Sequence, residues 1–167
     1  MKKLKKLVWF VPLVLMAQVV YGQLLQVNQT VFGMDCAPCA HGVQEGLMKM
    51  NGIQAARISL NKGMAFITLN PVNSVTLSAI RKDITDNGFS PRDADVKMRG
   101  VLKNINKELA LQVQNEFFWV SAQSDPSALS ELKKLPSGTE VTAAGHVKDI
   151  ASSKHLPIWD FSAEKIW

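Results

Sequence analysis

The chain has 167 residues, with 19 Lys and Arg against 14 Asp and Glu, and a formal net charge of +5. Four of the 19 basic residues lie within residues 1–22, where no acidic residue occurs, so the rest of the chain carries 15 basic against 14 acidic side chains. That near-balance gives no electrostatic basis for nucleic-acid binding, so we expect no nucleic-acid partner.

The first 22 residues have the composition of a secretory signal peptide. Four lysines precede an apolar run from Leu7 to Val20, and Gly22 supplies a small residue before the expected cut. The run is shorter than the roughly 17–25 residues of a spanning helix, and Pro12 interrupts it. We therefore expect cleavage after Gly22 and a periplasmic or secreted protein. The alternative is that residues 7–20 remain as a membrane anchor.

Hydrophobic periodicity over residues 23–96 predicts the order β-α-β-β-α-β, the split βαβ arrangement of a ferredoxin-like domain. Asn-Gly pairs follow both predicted helices, and Asn61-Lys62-Gly63 predicts a hairpin turn. We expect this unit to form a first domain spanning 23–96. The predicted elements are a strand at 24–32 on the alternation of Leu25, Val27, Gln29 and Val31, a helix at 37–50, strands around 56–60 and 65–69, a helix at 74–87, and a strand within 89–98 that Pro91 interrupts early.

Residues 97–167 have a different pattern, with short strand-like runs separated by Pro and Gly. Three strands, one helix and two strands follow each other, which is the element order of a small OB-like β-barrel. We expect these residues to form a second domain. Its predicted elements are strands near 96–103, 108–113 and 116–122, a helix at 127–135, and strands near 139–149 and 157–166.

The only two cysteines of the chain, Cys36 and Cys39, lie between the first predicted strand and the first predicted helix. Two thiols three positions apart can bind one soft metal ion or form a disulfide with each other. The free N–H groups at a helix start favour the thiolate form. Two thiolates without another soft donor suit Cu⁺ or Hg²⁺, whereas Zn²⁺ prefers four ligands.

The run Gly33-Met34-Asp35-Cys36-Ala37-Pro38-Cys39, placed after the first strand of a βαββαβ unit, resembles the metal loop of the heavy-metal-associated domain. That family includes copper chaperones, N-terminal domains of metal-exporting P-type ATPases and periplasmic mercuric-ion-binding proteins; the signal sequence makes the last branch the most similar. The resemblance covers about residues 24–96. It implies that Cys36 and Cys39 bind the metal, that Met34 packs into the core, and that Phe89 shields the site.

Asp35 departs from the family pattern, in which most members have threonine at this position. An aspartate here resembles the N-terminal domains of zinc-, cadmium- and lead-exporting ATPases, where the carboxylate is a third ligand. The resemblance therefore makes Asp35 a candidate third ligand and widens the cargo to one ion of the Cu⁺, Hg²⁺ or Zn²⁺/Cd²⁺ class. A solvated aspartate that favours the helix N-terminus is the competing interpretation.

Cys-Ala-Pro-Cys also resembles the active-site sequence of thiol-disulfide oxidoreductases, which makes a redox protein the alternative function. A thioredoxin-like fold needs a longer sheet and a separate cis-proline loop, and Asp35 replaces the usual aromatic residue before the first cysteine. A third hypothesis is a binding module whose second domain docks a partner under control of the cysteine loop. We favour a metal carrier over both, and we expect no enzymatic activity.

Other candidate ligands are better explained by packing or solvent exposure. We expect His41 at the surface. We expect His146 and His155 at the surface or at the barrel edge, because no cysteine or paired carboxylate lies at metal-ligand spacing from either of them in sequence. Methionines 48, 50 and 64 lack the clustering of a methionine-rich copper segment, and we expect them to take part in core or surface packing. The aromatic residues of the second domain are expected in its core, namely Phe117, Phe118, Trp119, Trp159 and Phe161.

The metal carrier is expected to pass its ion to a membrane metal transporter or to another metal-binding protein. Transfer would proceed by ligand exchange, in which an incoming thiolate adds to the ion and then displaces one of the pair. After cleavage of the signal, we expect peripheral membrane contact or none.

Overall fold

The computed structural model describes residues 22–149 and 158–167. The predicted signal segment falls almost entirely outside the described residues, so its cleavage and the location that it implies stay predictions. Within the described ranges, no helix combines the length and the apolar character needed to cross a bilayer.

The first half of the chain forms the predicted β-α-β-β-α-β order, with two helices on one face of the sheet. The strands run in the order β2-β3-β1-β4, all antiparallel to their neighbours. This confirms the ferredoxin-like arrangement. The elements are β1 (Gln23–Phe32), α1 (Ala37–Lys49), β2 (Ile53–Ser59), β3 (Met64–Leu69), α2 (Leu77–Asp86) and β4 (Ser90–Ile105).

Helix α2 begins three residues later than predicted. Thr76 is its N-cap, and its hydroxyl accepts a hydrogen bond from Ala79 N at 3.1 Å. The Asn73 side chain accepts from Val75 N at 3.0 Å, which holds the preceding residues in a turn. The apolar stripe of the helix is confirmed, because Leu77, Ile80 and Ile84 are fully buried.

The alternation predicted for β1 is wrong at its start. A register irregularity between Leu24 and Gln26 makes Leu24, and not Leu25, the fully buried residue. Farther along the strand, Val27 and Val31 are buried as predicted, and Gln29 is buried with them. The Gln29 amide is tolerated in the core because its Nε2 donates to Arg92 O at 2.7 Å.

Strand β4 is the main correction to the predicted elements. The sequence predicted separate strands within 89–98 and near 96–103, but one continuous strand of 16 residues covers both. Pro91 does not break it, because the strand there pairs only with β1, and the second neighbour begins at Ala94. The predicted domain boundary at 96/97 lies inside this strand, so the division into two domains stays a prediction.

The second half of the chain adds four strands to the same sheet and contains one further helix. They are β5 (Glu108–Val113), β6 (Glu116–Val120), α3 (Pro126–Lys134), β7 (Glu140–Val147) and β8 (Ile158–Ile166). Strand β4 pairs with both β5 and β7, β6 pairs with β5 and, in parallel, with β8, and β8 pairs with β7. These pairings close a ring of five strands, which we call the ring. Its OB-like assignment stays a prediction.

The core of the ring contains three of the five aromatic residues expected there. Phe118 and Phe161 are fully buried with ring centroids 6.3 Å apart, and Trp159 is 5% exposed. Phe117 and Trp119 are only half-buried, which corrects their assignment to the core. The reason is the strand period of two, which turns alternate residues of β6 away from the ring interior.

Candidate metal centre

The cysteine loop is positioned by a glycine and a buried methionine that follow β1. Gly33 has φ of +89°, a left-handed conformation that turns the chain off the strand. Met34 is 4% exposed and belongs to the core, as the family resemblance implied. Its burial holds the inner side of the loop, whereas Asp35 and Ala37 on either side of Cys36 are exposed.

Cys36 is the N-cap of α1, and Cys39 lies in its first turn. The Cys36 sulfur accepts a hydrogen bond from Cys39 N at 3.1 Å, and Cys36 O accepts from Ala40 N at 3.0 Å. Pro38 occupies an early helical position, where its missing N–H costs no intrahelical bond. Cys36 is therefore held at the positive end of α1, where a thiolate is stabilised.

The structure joins Cys36 and Cys39 in a disulfide, with Cα atoms 5.1 Å apart. It thus confirms that the loop brings the two sulfurs together. Both cysteines are half-buried, and Cys39 packs against the hydrophobic core. A pair at this spacing can exist as a disulfide or, once reduced, present two thiolates to one ion.

Asp35 follows the buried Met34 directly, and its own side chain is exposed. Across residues 22–149 and 158–167, no three His, Cys, Asp or Glu side chains are grouped so as to hold a metal ion. In the disulfide form of the loop the two sulfurs are bonded to each other and offer no thiolate to an ion. Participation of Asp35 after reduction of the cysteines stays a prediction.

The remaining candidates near the loop lie where the sequence analysis predicted them. His41 is exposed, and its Nε2 is 3.2 Å from Glu45 Oε1 on the next turn of α1. Phe89 packs, partly buried, against the core. Met50 also packs on the core, whereas Met48 is 45% exposed at the surface, and both positions agree with the predicted core or surface packing.

One cluster of titratable side chains was missed from sequence. His146 on β7 has no paired carboxylate at metal-ligand spacing in sequence, but its Nδ1 lies 2.9 Å from Asp95 Oδ1 and its Nε2 lies 3.3 Å from Asp93 Oδ2. The pairing of β4 with β7 places Asp95 opposite His146. Alternation of Asp93 and Asp95 on β4 was the only available signal. His155 lies outside the described residues.

This cluster favours the charged form of His146. The hydrogen bond to Asp95 raises the pKa of the imidazole above its usual value. Partial burial of the ring acts in the opposite direction, and the hydrogen bond to Asp93 adds to the increase. The pKa of Asp93 is lowered, first by the hydrogen bond that it accepts from Asp149 N and then by His146. Each imidazole nitrogen faces a carboxylate oxygen, so neither nitrogen is free to bind a metal ion. We call this ion-paired arrangement of His146, Asp93 and Asp95 the clamp.

Buried charged groups also connect the ring to α2. Glu116 on β6 is fully buried, and its carboxylate accepts hydrogen bonds from Leu77 N at 2.8 Å and Ser78 N at 2.9 Å. The Arg81 guanidinium on α2 lies 4.6 Å from the centroid of the Trp159 indole. Its Nε donates to Gln29 Oε1 at 3.1 Å. The helix that lies beside α1 is thus anchored on the ring.

Comparison with known proteins assigns the segment that contains the cysteine loop. Residues 30–90 match the family model of the heavy-metal-associated domain. The copper chaperone CopZ of Staphylococcus haemolyticus (strain JCSC1435) is 30% identical over 59 residues, which cover 35% of this chain and 85% of that protein.

Two solved structures are similar over the same part of the chain. A copper binding domain from HMA7, a P-type ATPase, is 32% identical, with a TM-score of 0.38 and coverage of 43% of this chain and 92% of that one. The yeast copper transporter domain CCC2A is 30% identical, with a TM-score of 0.38 and coverage of 40% and 90%. On the sequence matches over its first half, the chain belongs to the heavy-metal-associated domain family.

Proposed function

We propose that the protein carries one thiophilic metal ion, bound by Cys36 and Cys39, and delivers it to a membrane transporter or another metal-binding protein. The observation that carries this proposal is the pair of sulfurs brought together at the N-terminus of α1, in an exposed loop fixed by the buried Met34. An exposed site suits a carrier because a partner's thiolates can reach the ion.

Among the candidate ions, Cu⁺ is the one that we favour. Two thiolates at low coordination number suit a soft d¹⁰ ion, and the curated relative that matches this segment is named a copper chaperone. Hg²⁺ has the same preference. Zn²⁺ or Cd²⁺ would need Asp35 as a third ligand and water as a fourth.

We expect transfer by thiolate exchange, because the residues on either side of Cys36 are exposed and leave the loop open to a partner. An incoming thiolate of the partner adds to the ion and forms a three-sulfur intermediate, after which Cys36 or Cys39 leaves. The bare ion is never released, so tight binding and transfer are compatible. A carrier of this kind binds and releases its cargo and needs no enzymatic activity.

The disulfide sets a condition for loading. Reduction of the Cys36–Cys39 bond takes two electrons and two protons, which a dithiol reductant supplies while it becomes a disulfide. The condition is relevant if the protein is exported, as the N-terminal segment predicts, because disulfides persist outside the reducing cytosol.

The ring has a supporting role in this proposal. We propose that residues 97–167 form an OB-like domain that stabilises the first domain, residues 23–96, which we call the metal domain. The hydrogen bonds from Leu77 and Ser78 of α2 to Glu116 support that role. Partner docking by the ring remains the competing role. Nucleic acid is not proposed as the partner, because residues 97–167 carry nine basic and eight acidic side chains.

The experiment that tests the carrier is metal titration of the reduced protein with Cu⁺, Hg²⁺, Zn²⁺ and Cd²⁺ under competition with a chelator. We expect one ion per chain, bound at least 100-fold more weakly by Cys36→Ser and Cys39→Ser because a single thiolate remains. Gln44→Ser on the same helix is the matched control and should bind as the wild type does. Failure of the reduced wild type to bind any of these ions tightly would contradict the proposal.

The role of Asp35 is tested in the same titration. If its carboxylate is a third ligand, Asp35→Thr weakens Zn²⁺ and Cd²⁺ about 10-fold or more and leaves Cu⁺ nearly unchanged. Equal Zn²⁺ affinities of the variant and the wild type would remove Asp35 from the site.

A second candidate function is favoured by one observation, the joined cysteines. A thiol-disulfide redox protein would exchange its disulfide rapidly with dithiol substrates. Turnover in an insulin-reduction or scrambled-disulfide assay would support it. We expect stoichiometric exchange without turnover.

A further inference from the structure

Gly22 is built into the fold, although the sequence places it at the predicted end of the signal peptide. It is buried, and its carbonyl accepts a hydrogen bond from Gln114 N at 3.1 Å. Gln114 has φ of +53° and follows β5, so this bond connects the start of β1 to the turn between β5 and β6.

The space around Gly22 admits only glycine. A Cβ atom at this position would lie 2.5 Å from Gln112 O and 2.6 Å from Arg99 O. Both contacts are far below van der Waals distance, and both are to backbone atoms, which cannot move aside without disturbing β4 and β5. The fold therefore has its own requirement for a glycine here, independent of a protease's preference for a small residue.

A cut after Gly22 would remove this packing. The Gln114 N–H would lose its acceptor, which costs free energy when the donor is shielded from water. The new ammonium group would be on Gln23, which is half-buried and pairs in register with Arg99. The first residue of β1 would then carry a charge where the intact chain has a neutral peptide bond.

On these grounds we propose that Gly22 stays in the mature protein and that the leader is cut after Ala17. Within the segment from Leu7 to Gly22, Ala17 is the only alanine and Gly22 the only glycine, and a small residue is needed before the cut. Hydrolysis of the Ala17–Gln18 peptide bond by a signal peptidase consumes one water and leaves Gln18 as the N-terminal amine. This inference rests on the proposed export of the protein.

The direct test is the intact mass and N-terminal sequence of the full chain after expression with its own leader in a bacterial host. A product beginning at Gln18 supports the inference. A product beginning at Gln23 overturns it while leaving export intact. A chain that retains Met1 and stays in the membrane or cytosol overturns both export and the processing site.

The substitution Gly22→Ala distinguishes cleavage after Gly22 from cleavage after Ala17, even when the N-terminal residue of the mature protein has not been determined. With cleavage after Gly22, Gly22→Ala is discarded with the leader, so the mature protein melts at the wild-type temperature. With cleavage after Ala17, the added Cβ is retained and overpacks the site, lowering Tm by roughly 3–10 °C. An unchanged Tm would contradict the inference. If the variant fails to accumulate, the mass of the wild type still decides.

The matched variant changes the proposed cleavage residue itself. Ala17→Leu puts a large side chain before the cut, so we expect unprocessed precursor to accumulate. Normal processing of Ala17→Leu would overturn the assignment of Ala17.

Discussion

The metal domain and the ring differ in how their important side chains come together. In the metal domain, Cys36 and Cys39 are three residues apart, and one helix start and one glycine turn are enough to place them. In the ring, Glu116 contacts Leu77 across 39 positions of sequence. The comparison shows that the cysteine pair is placed by local structure, whereas the contacts between the ring and α2 depend on residues far apart in sequence.

The largest effect that would test this comparison comes from Glu116→Ala. The change leaves the Leu77 and Ser78 N–H groups without their acceptor at the start of α2, so we expect a loss of roughly 2–4 kcal/mol in the free energy of unfolding. Urea unfolding, monitored by tryptophan fluorescence and by far-UV circular dichroism, measures it.

Glu108→Ala, at an exposed position of β5, is the control and should stay within about 0.5 kcal/mol of the wild type. If Glu116→Ala behaves like this control, the ring does not support the metal domain. Coincidence of the two spectroscopic transitions in the wild type would show that the two parts unfold as one unit.

Arg81→Lys sharpens the comparison at the second contact between the two parts. Arg81 is 8% exposed, and its Nη2 donates to Arg92 O at 2.7 Å while its Nε donates to Gln29. An ammonium cannot reproduce this fork or stack on Trp159, so we expect a loss of about 1–3 kcal/mol with the charge retained. The measurement is the same unfolding series.

The exposed Arg57, which lies 4.8 Å from the Phe66 ring centroid, provides the matched control for Arg81. Arg57→Lys should lose less than about 0.5 kcal/mol, since its stacking contact is solvated. Equal losses at both positions would mean that burial of Arg81 between the two parts has no special importance.

The smallest effect is expected from His146→Gln, and it is a change in how the stability of the fold depends on pH. Because the pKa of His146 is raised above 6.5 in the folded protein, its contribution is complete below about pH 6.5 and is lost as pH rises through the folded-state value. With partial exposure, the contribution is about 0.3–1 kcal/mol. Tm measured from pH 5.5 to 8.5 should fall less steeply for the variant.

On the acid side of the pH profile, the contribution of Asp93 to stability changes in the opposite direction to that of His146. The pKa of Asp93 is lowered, so its contribution is present at neutral pH and is lost as pH falls through the folded-state value. Parallel Tm profiles of wild type and His146→Gln across the alkaline limb would contradict the clamp.

Much of the fold and of the candidate site was predictable from sequence. The stripe of Leu77, Ile80 and Ile84 and the alternation of Ala65, Ile67 and Leu69 mark elements whose side chains repeat at the period of one helix or one strand. The register irregularity at Leu25 was not predictable, because a bulge depends on how the partner strand pairs.

The sequence by itself determined the metal loop, since Gly33, Met34, Cys36 and Cys39 act within one turn between one strand and one helix. It also determined the order of the elements, because periodicity is a local property. Only the tertiary structure decided that β4 runs unbroken into the ring, that Glu116 binds the start of α2, and that Gly22 fills a space between two strands. Each of these depends on residues far apart in sequence, whose meeting is fixed by strand pairing.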